Sequence, residues 1–196
     1  MDINILFFED FETLDIFGPI EILARIENIK MHYVSISGGL IKSRQGYEIQ
    51  TESFSTINSK GVLVIPGGQG TRTLINDKKF IAQLKELCLN AEYVLSICTG
   101  SALLAKTGLL DNHNATSNKK AFEWVKSVSS NVNWIRKARW VVDDKFYTSS
   151  GVSAGMDMAL GFVSDMFGVE KAEQIADNIE YVWNRNREIG NECYEN

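Results

Sequence analysis

Tyr93-Val94-Leu95-Ser96-Ile97-Cys98-Thr99-Gly100-Ser101-Ala102-Leu103-Leu104-Ala105 decides the fold. An apolar β-type run ends at Cys98, small residues follow, and a helix-forming run resumes at once, so a strand turns sharply into a helix. A thiol at such a corner points out of the carboxyl edge of a sheet, with the N-terminus of the next helix beneath it. Free backbone N–H groups and the positive end of the helix dipole favour an anion there, so we expect a stabilised thiolate at Cys98. The arrangement is the cysteine version of a nucleophile elbow. The competing account is a small buried cysteine that only closes a core strand. Thr99-Gly100-Ser101 favours the elbow, because a tight corner requires small residues and core packing does not.

Working back from the elbow, Gly61–Ile65 reads as another buried strand, ended by Pro66-Gly67-Gly68-Gln69-Gly70. Glycines at a strand's carboxyl end let bare amides approach a ligand. The run is too short and wrongly spaced for a dinucleotide or P-loop fingerprint. An oxyanion hole is the more economical use, with the Gly68 N–H facing the Cys98 sulfur from the neighbouring strand, and a plain turn is the alternative. The first strand, Asp2–Phe8, is a continuous apolar run of the kind buried in a parallel sheet. Leu14, Phe17, Ile20 and Leu23 then recur at helical spacing, with Pro19 tolerable only near a first turn or a kink. Asp15 falls near the N-terminal end of that helix, so it can meet Cys98 across one sheet edge. Standing alone, Asp15 would read as a surface capping carboxylate.

The remaining segments continue the alternation. His32–Ser37 reads as a strand, and Ile41–Ser43 with Tyr47–Thr51 as a small antiparallel excursion. Asp77–Asn90 is an amphipathic helix with Phe80, Leu84, Leu87 and Cys88 inward, which makes Cys88 a core residue. His113 lies in a polar loop where a lone histidine is usually solvated. Ala115-Thr116 is a short strand, a helix starts at Asn118, and Trp140–Asp143 with Lys145–Thr148 forms a hairpin. Ser149–Gly155 opens a helix from about Met156 to Phe167, and a last helix covers Lys171–Ile179. Strands alternating with helices, and glycine turns at strand ends, give an α/β fold with a doubly wound, mostly parallel sheet and its site at the carboxyl edge.

Composition narrows the function. The chain has 196 residues, 44% hydrophobic, without linker, repeat or low-complexity segment, so we expect one domain over 1–196. Lys+Arg 20 against Asp+Glu 25 gives a net charge of −5, and no basic cluster exceeds Arg136-Lys137-Ala138-Arg139, which argues against nucleic acid or an anionic membrane as partner. With no basic n-region at Met1-Asp2-Ile3-Asn4 and no apolar run near the roughly 20 residues of a span, we expect a cytoplasmic protein. Cys88, Cys98 and Cys193 are too widely spaced for a disulfide framework or a zinc motif, and two histidines argue against a metal site.

The Gly67-Gly68 turn, Ser96-Ile97-Cys98-Thr99-Gly100, Leu103-Leu104-Ala105, Gly108-Leu109-Leu110, Ala115-Thr116 and Gly151-Val152-Ser153-Ala154-Gly155 together resemble the ThiJ/PfpI superfamily, in order over nearly the whole chain. That resemblance implies a class I glutamine amidotransferase-like, flavodoxin-like fold. Leu14-Asp15-Ile16-Phe17-Gly18-Pro19-Ile20-Glu21-Ile22-Leu23 is similar to the isonitrile hydratase branch, where an aspartate precedes Gly-Pro and threonine follows the elbow cysteine. The resemblance implies Cys98 as nucleophile, Asp15 as acid/base partner, Thr99 as a contributor, a small-molecule substrate, no cofactor, and a homodimer. Phe11, Ile16 and Phe17 around the first helix exceed what one core face needs and fit such a dimer contact. Protease and deglycase branches usually carry a glutamate in place of Asp15 and a histidine twenty residues after the nucleophile, where this chain has Asn118. Similar chains form the ligand-sensing half of AraC-type regulators, so a non-catalytic thiol sensor is the rival function, with a PfpI-type amidase, peptidase or deglycase as a third.

Overall fold

The computed structural model describes residues 1–188. In chain order its elements are β1 (Asp2–Leu6), α1 (Thr13–Leu23), β2 (Lys30–Ser35), β3 (Gly39–Lys42), β4 (Glu48–Ser53), β5 (Val62–Ile65), α2 (Thr71–Leu74), α3 (Lys78–Asn90), β6 (Tyr93–Ile97), α4 (Gly100–Lys106), β7 (Asn114–Ala115), α5 (Phe122–Val128), β8 (Asn133–Trp134), β9 (Trp140–Asp143), β10 (Phe146–Ser149), α6 (Ala154–Phe167) and α7 (Val169–Asn178). Eight strands form one sheet in the order β3-β4-β2-β1-β5-β6-β10-β9, and β7 pairs with β8 in a separate ribbon. The six inner strands of the large sheet are parallel, while β3 and β9 close its edges antiparallel.

The inner strands are short apolar runs because helices cover them: β5 is buried throughout, and Ile3, Ile5, Leu95 and Ile97 have no exposed surface. Helices α1, α6 and α7 pack in sequence against one another, as do α2, α3, α4 and α5 through α4. The contact of α1 with α6 is close, since a Cβ on Gly18 would stand 2.7 Å from Met156 Cγ. Asp77 caps α3 by accepting the N–H groups of Lys79 and Phe80.

From β1 the chain moves outward to β2 and the β3–β4 excursion, then crosses back to β5 and β6. The order reverses between β1 and β5, and in such sheets the crevice outside the carboxyl ends at the reversal is the ligand position. The segments after β1, β5 and β6 carry Asp15, Gly67-Gly68 and Cys98 to that crevice.

Several local expectations change. Asn118 does not begin a helix; its Oδ1 accepts the N–H groups of Lys120 and Ala121, and α5 starts only at Phe122. Helix α2 and strand β8 are too short to leave a periodic pattern. His113 is not simply solvated, since its Nδ1 lies 2.9 Å from Asp143 Oδ1 and its ring packs edge-on against Phe146. Phe11 and Ile16 are fully buried core residues rather than interface residues, which leaves Leu14 and Phe17, 44% and 40% exposed, as the apolar surface near the first helix. Cys193 lies outside the described residues. Among the described residues, no helix is long and apolar enough to cross a membrane.

Candidate active site

Cys98 adopts φ 55°, in the left-handed region that L side chains rarely enter. Its neighbours explain how the corner is held. The Cys98 N–H donates to Ser149 O at 3.2 Å, and its carbonyl accepts the Ser117 hydroxyl at 2.8 Å and the Ser101 hydroxyl at 3.1 Å. Both backbone polar groups are therefore satisfied in the strained conformation, which turns the thiol out of the end of β6. Gly100 is required immediately after, because a Cβ there would stand 2.5 Å from Ile65 O.

Asp15, the third residue of α1, has no exposed surface. Its Oδ2 accepts the Gly67 N–H at 2.8 Å, while Oδ1 is buried without a hydrogen-bond partner. Burial pushes the Asp15 carboxyl up to about 7, against the pull of the Gly67 amide and the Cys98 thiol, with the Glu12 charge adding to the rise. Gly67 is the point of closest approach: a Cβ would stand 2.6 Å from Thr99 N, 2.7 Å from Thr99 Oγ1 and 2.8 Å from Asp15 Oδ2. Only glycine lets these three groups converge.

The expected thiolate is corrected by this burial. Cys98 is 7% exposed, and desolvation together with the Asp15 carboxylate pushes its thiol up, outweighing the Thr99 N–H and the Asn118 side chain that favour the charged form. Thr99 stands at the N-cap of the seven-residue α4, but a dipole effect of about 0.3–1 kcal/mol does not offset a buried carboxylate beside the sulfur. Thiol and carboxyl titrate as one pair whose first proton leaves in the region of pH 7, and the second only far above it.

The Gly68 N–H does not face the sulfur either. It donates to Thr99 Oγ1 at 3.1 Å, and Thr71 Oγ1 lies 2.7 Å from Gly68 O and 3.1 Å from Thr99 Oγ1. The hydroxyls of Thr71 and Thr99 thus knit the glycine turn to the elbow. Besides the Asp15 carboxyl, the sulfur is met by two hydrogen-bond donors, the Thr99 backbone N–H and the Asn118 side chain. Since Asn118 Oδ1 is engaged by two backbone amides, its NH₂ group is the end left for the sulfur.

Both histidines lie at the other end of the sheet. His32 Nε2 is 3.1 Å from Asp2 Oδ1 at the start of β1, and the His113 partner Asp143 is in register with Phe146, which pairs with Val94 near the start of β6. Cys88 is a core residue, as expected, with burial pushing its thiol up to about 12. Among the described residues, no group of three or more His, Cys, Asp or Glu side chains converges as metal ligands.

Cys98, Thr99, Gly68 and Asn118 open onto a cleft of about 460 Å³ whose rim carries Glu12, Arg44, Arg72 and Lys120. Sequence reasoning named Asn118 only as a departure from a family pattern, and missed Ser117, Thr71 and the rim cations. A three-residue step from Asn118 to Ala121 was the available signal, since asparagine often caps the turn that follows it.

Comparison with known proteins agrees with this fold. The DJ-1/PfpI family matches residues 1–165. An isonitrile hydratase from Pseudomonas putida is 29% identical over 182 residues, 92% of this chain and 78% of that protein. A deglycase from Thermococcus kodakarensis is 27% identical over 76% of this chain and 89% of its own. The HTH-type transcriptional regulator GbdR from Pseudomonas aeruginosa is 24% identical over 91% of this chain, which spans 52% of the regulator. The crystal structure of a ThiJ/PfpI family protein from Pseudomonas syringae superimposes with a TM-score of 0.84 at 29% identity, covering 92% of this chain and 74% of that one.

Proposed function

This chain belongs to the DJ-1/PfpI family, and on that premise we propose that it hydrates isonitriles to N-substituted formamides, with Cys98 as nucleophile and Asp15 as acid/base. The observation that carries this reading is the buried Asp15 carboxyl, raised to about 7 and in direct interaction with Cys98, while both histidines lie at the opposite sheet edge. A Cys/His hydrolase needs an imidazole at the thiol. A carbon that must accept sulfur and a proton together needs only a soft nucleophile and a proton carrier.

The steps balance with the pair alone. The sulfur bonds to the terminal carbon of the isonitrile, and the thiol proton reaches the same carbon through Asp15, giving a thioformimidate. Water then adds to that carbon, the nitrogen takes up a proton, and the carbon–sulfur bond breaks. Sulfur leaves with its proton restored through Asp15, so one isonitrile and one water yield one formamide. The Thr99 N–H and the Asn118 amide stabilise the charge on sulfur as it forms and leaves.

The relation to the regulator favours a second reading, in which the thiol binds or senses a small molecule without turnover. A homodimer is part of the proposal, with Leu14 and Phe17 on α1 as the exposed apolar pair at its contact. Mass spectrometry of isonitriles, amides and 2-oxoaldehydes incubated with the protein tests the function. Many formamides per protein, abolished in Cys98→Ala, are expected; a single stoichiometric adduct, or turnover of the other classes alone, refutes it.

A further inference from the structure

The cleft above Cys98 is built for charge rather than for an apolar group. Its rim carries three cations, Arg44, Arg72 and Lys120, against one carboxylate, Glu12, in a chain whose net charge is −5. Among the described residues none of the three cations has a carboxylate within ion-pair distance; Arg44 donates to the Gln69 side chain, and Arg72 lies over the Trp124 ring at 4.4 Å. The ring fixes the guanidinium without neutralising it. Glu12 is itself held by Gln45, whose amide donates to its Oε1 at 2.6 Å. Among the described residues, the aliphatic side chains lining the cleft are Ala121 and Val152 alone. A neutral hydrocarbon substituent would find little to pack against there, while un-neutralised guanidinium groups hold an anion by charge-assisted, geometrically matched hydrogen bonds.

From this rim we infer that the substrate carries a carboxylate, and that Arg72, with Arg44 and Lys120, binds it while the reacting carbon lies at Cys98. The identity of that substrate as an isonitrile rests on the function proposed above; the demand for an anion does not. At the level of turnover, isocyanoacetate is the preferred substrate and its neutral methyl ester the poorer one.

Alkylation separates the two claims, because it needs no isonitrile. The same thiolate displaces iodide from iodoacetate and from iodoacetamide, which differ in charge, so the ratio of their rates at Cys98 reads the local field and cancels the thiol's ionisation. Peptide mapping keeps Cys98 distinct from Cys193. The ratio at Cys98 is expected to exceed that of a small free thiol by about 10-fold at low salt and to fall between about 0.02 M and about 0.5 M salt, as a screened attraction must. Arg72→Gln and Arg44→Gln are each expected to lower it several-fold. A ratio at or below that of the free thiol overturns the inference, whatever is turned over. A raised ratio that the arginine variants reduce, in a protein that hydrates no isonitrile, upholds the anion site and refutes the isonitrile reading alone.

Discussion

Asp15→Asn removes the carboxyl on which the proposed chemistry turns, and the structure sets the size of the effect on stability. The folded-state value of about 7 lies some three units above the ordinary 3.8, and each unit is worth about 1.4 kcal/mol. Between those two values the folded state holds a proton that the unfolded state has lost, so stability falls as pH rises through that window. From pH 4.5 to pH 8 the loss integrates to about 3 kcal/mol, roughly 6–12 °C in Tm for a chain of this length. An asparagine, which stays neutral, escapes that loss while still accepting the Gly67 N–H. Urea unfolding of wild type and Asp15→Asn across this range is therefore expected to give curves that diverge by about 3 kcal/mol, the variant gaining relative to wild type as pH rises. Cys98→Ala is expected to keep the wild-type slope, since burial and not the thiol is the chief cause of the shift. Parallel curves for wild type and Asp15→Asn would show that the carboxyl ionises normally in the folded protein, and the acid/base role would fall with it. Turnover by Asp15→Asn is expected to drop about 10²–10⁴-fold.

In wild type, kcat/KM is expected to rise through about pH 7 as the Asp15–Cys98 pair loses its first proton, then hold a plateau into the alkaline range; a profile flat from pH 5 to 9 contradicts a shared-proton pair. Asn118→Ala removes a donor to the sulfur, so a roughly 10–100-fold lower kcat with KM little changed is expected in steady-state assays. Gly67→Ala forces a methyl against Thr99 N and Asp15, and is expected to destabilise the fold by about 1–3 kcal/mol while removing activity altogether; retained turnover would show that the close approach is not needed. Arg139→Ala strands Asp157, a fully buried carboxylate that also accepts the Tyr181 hydroxyl and the Asn184 N–H, so denaturation is expected to show a loss of about 3–5 kcal/mol.

Backbone punctuation and apolar runs carried most of the fold. The β6 run, the small residues after Cys98 and the glycines after β5 were readable because sheet edges and sharp corners leave strong compositional marks, and they led to the crevice where Asp15, Gly67 and Cys98 meet. Other features were not readable, because they depend on distance. Nothing in the sequence near Cys98 says that burial outweighs the helix beneath it, or that the Gly68 amide is taken by Thr99. Phe11 and Ile16 looked surplus to one helix face, but the bridges of Phe11 to Ser43 and Gly68 make its segment part of the core. Arg44, Arg72 and Lys120 come from three separate segments, so no local pattern could join them.

The left-handed backbone at Cys98 is held by Ser149 O, Ser117 Oγ and Ser101 Oγ, none of which touches the sulfur. Shape and reactivity are therefore inherited separately. Replacing the thiol with a methyl group would leave the corner standing, and with it a small receptor whose Thr99 N–H and Asn118 NH₂ point at an empty place of the size of one sulfur atom. A single residue replacement could therefore abolish the proposed reaction and retain a ready recognition pocket, which gives a route from enzymes of this architecture to receptors that report on the same class of molecule.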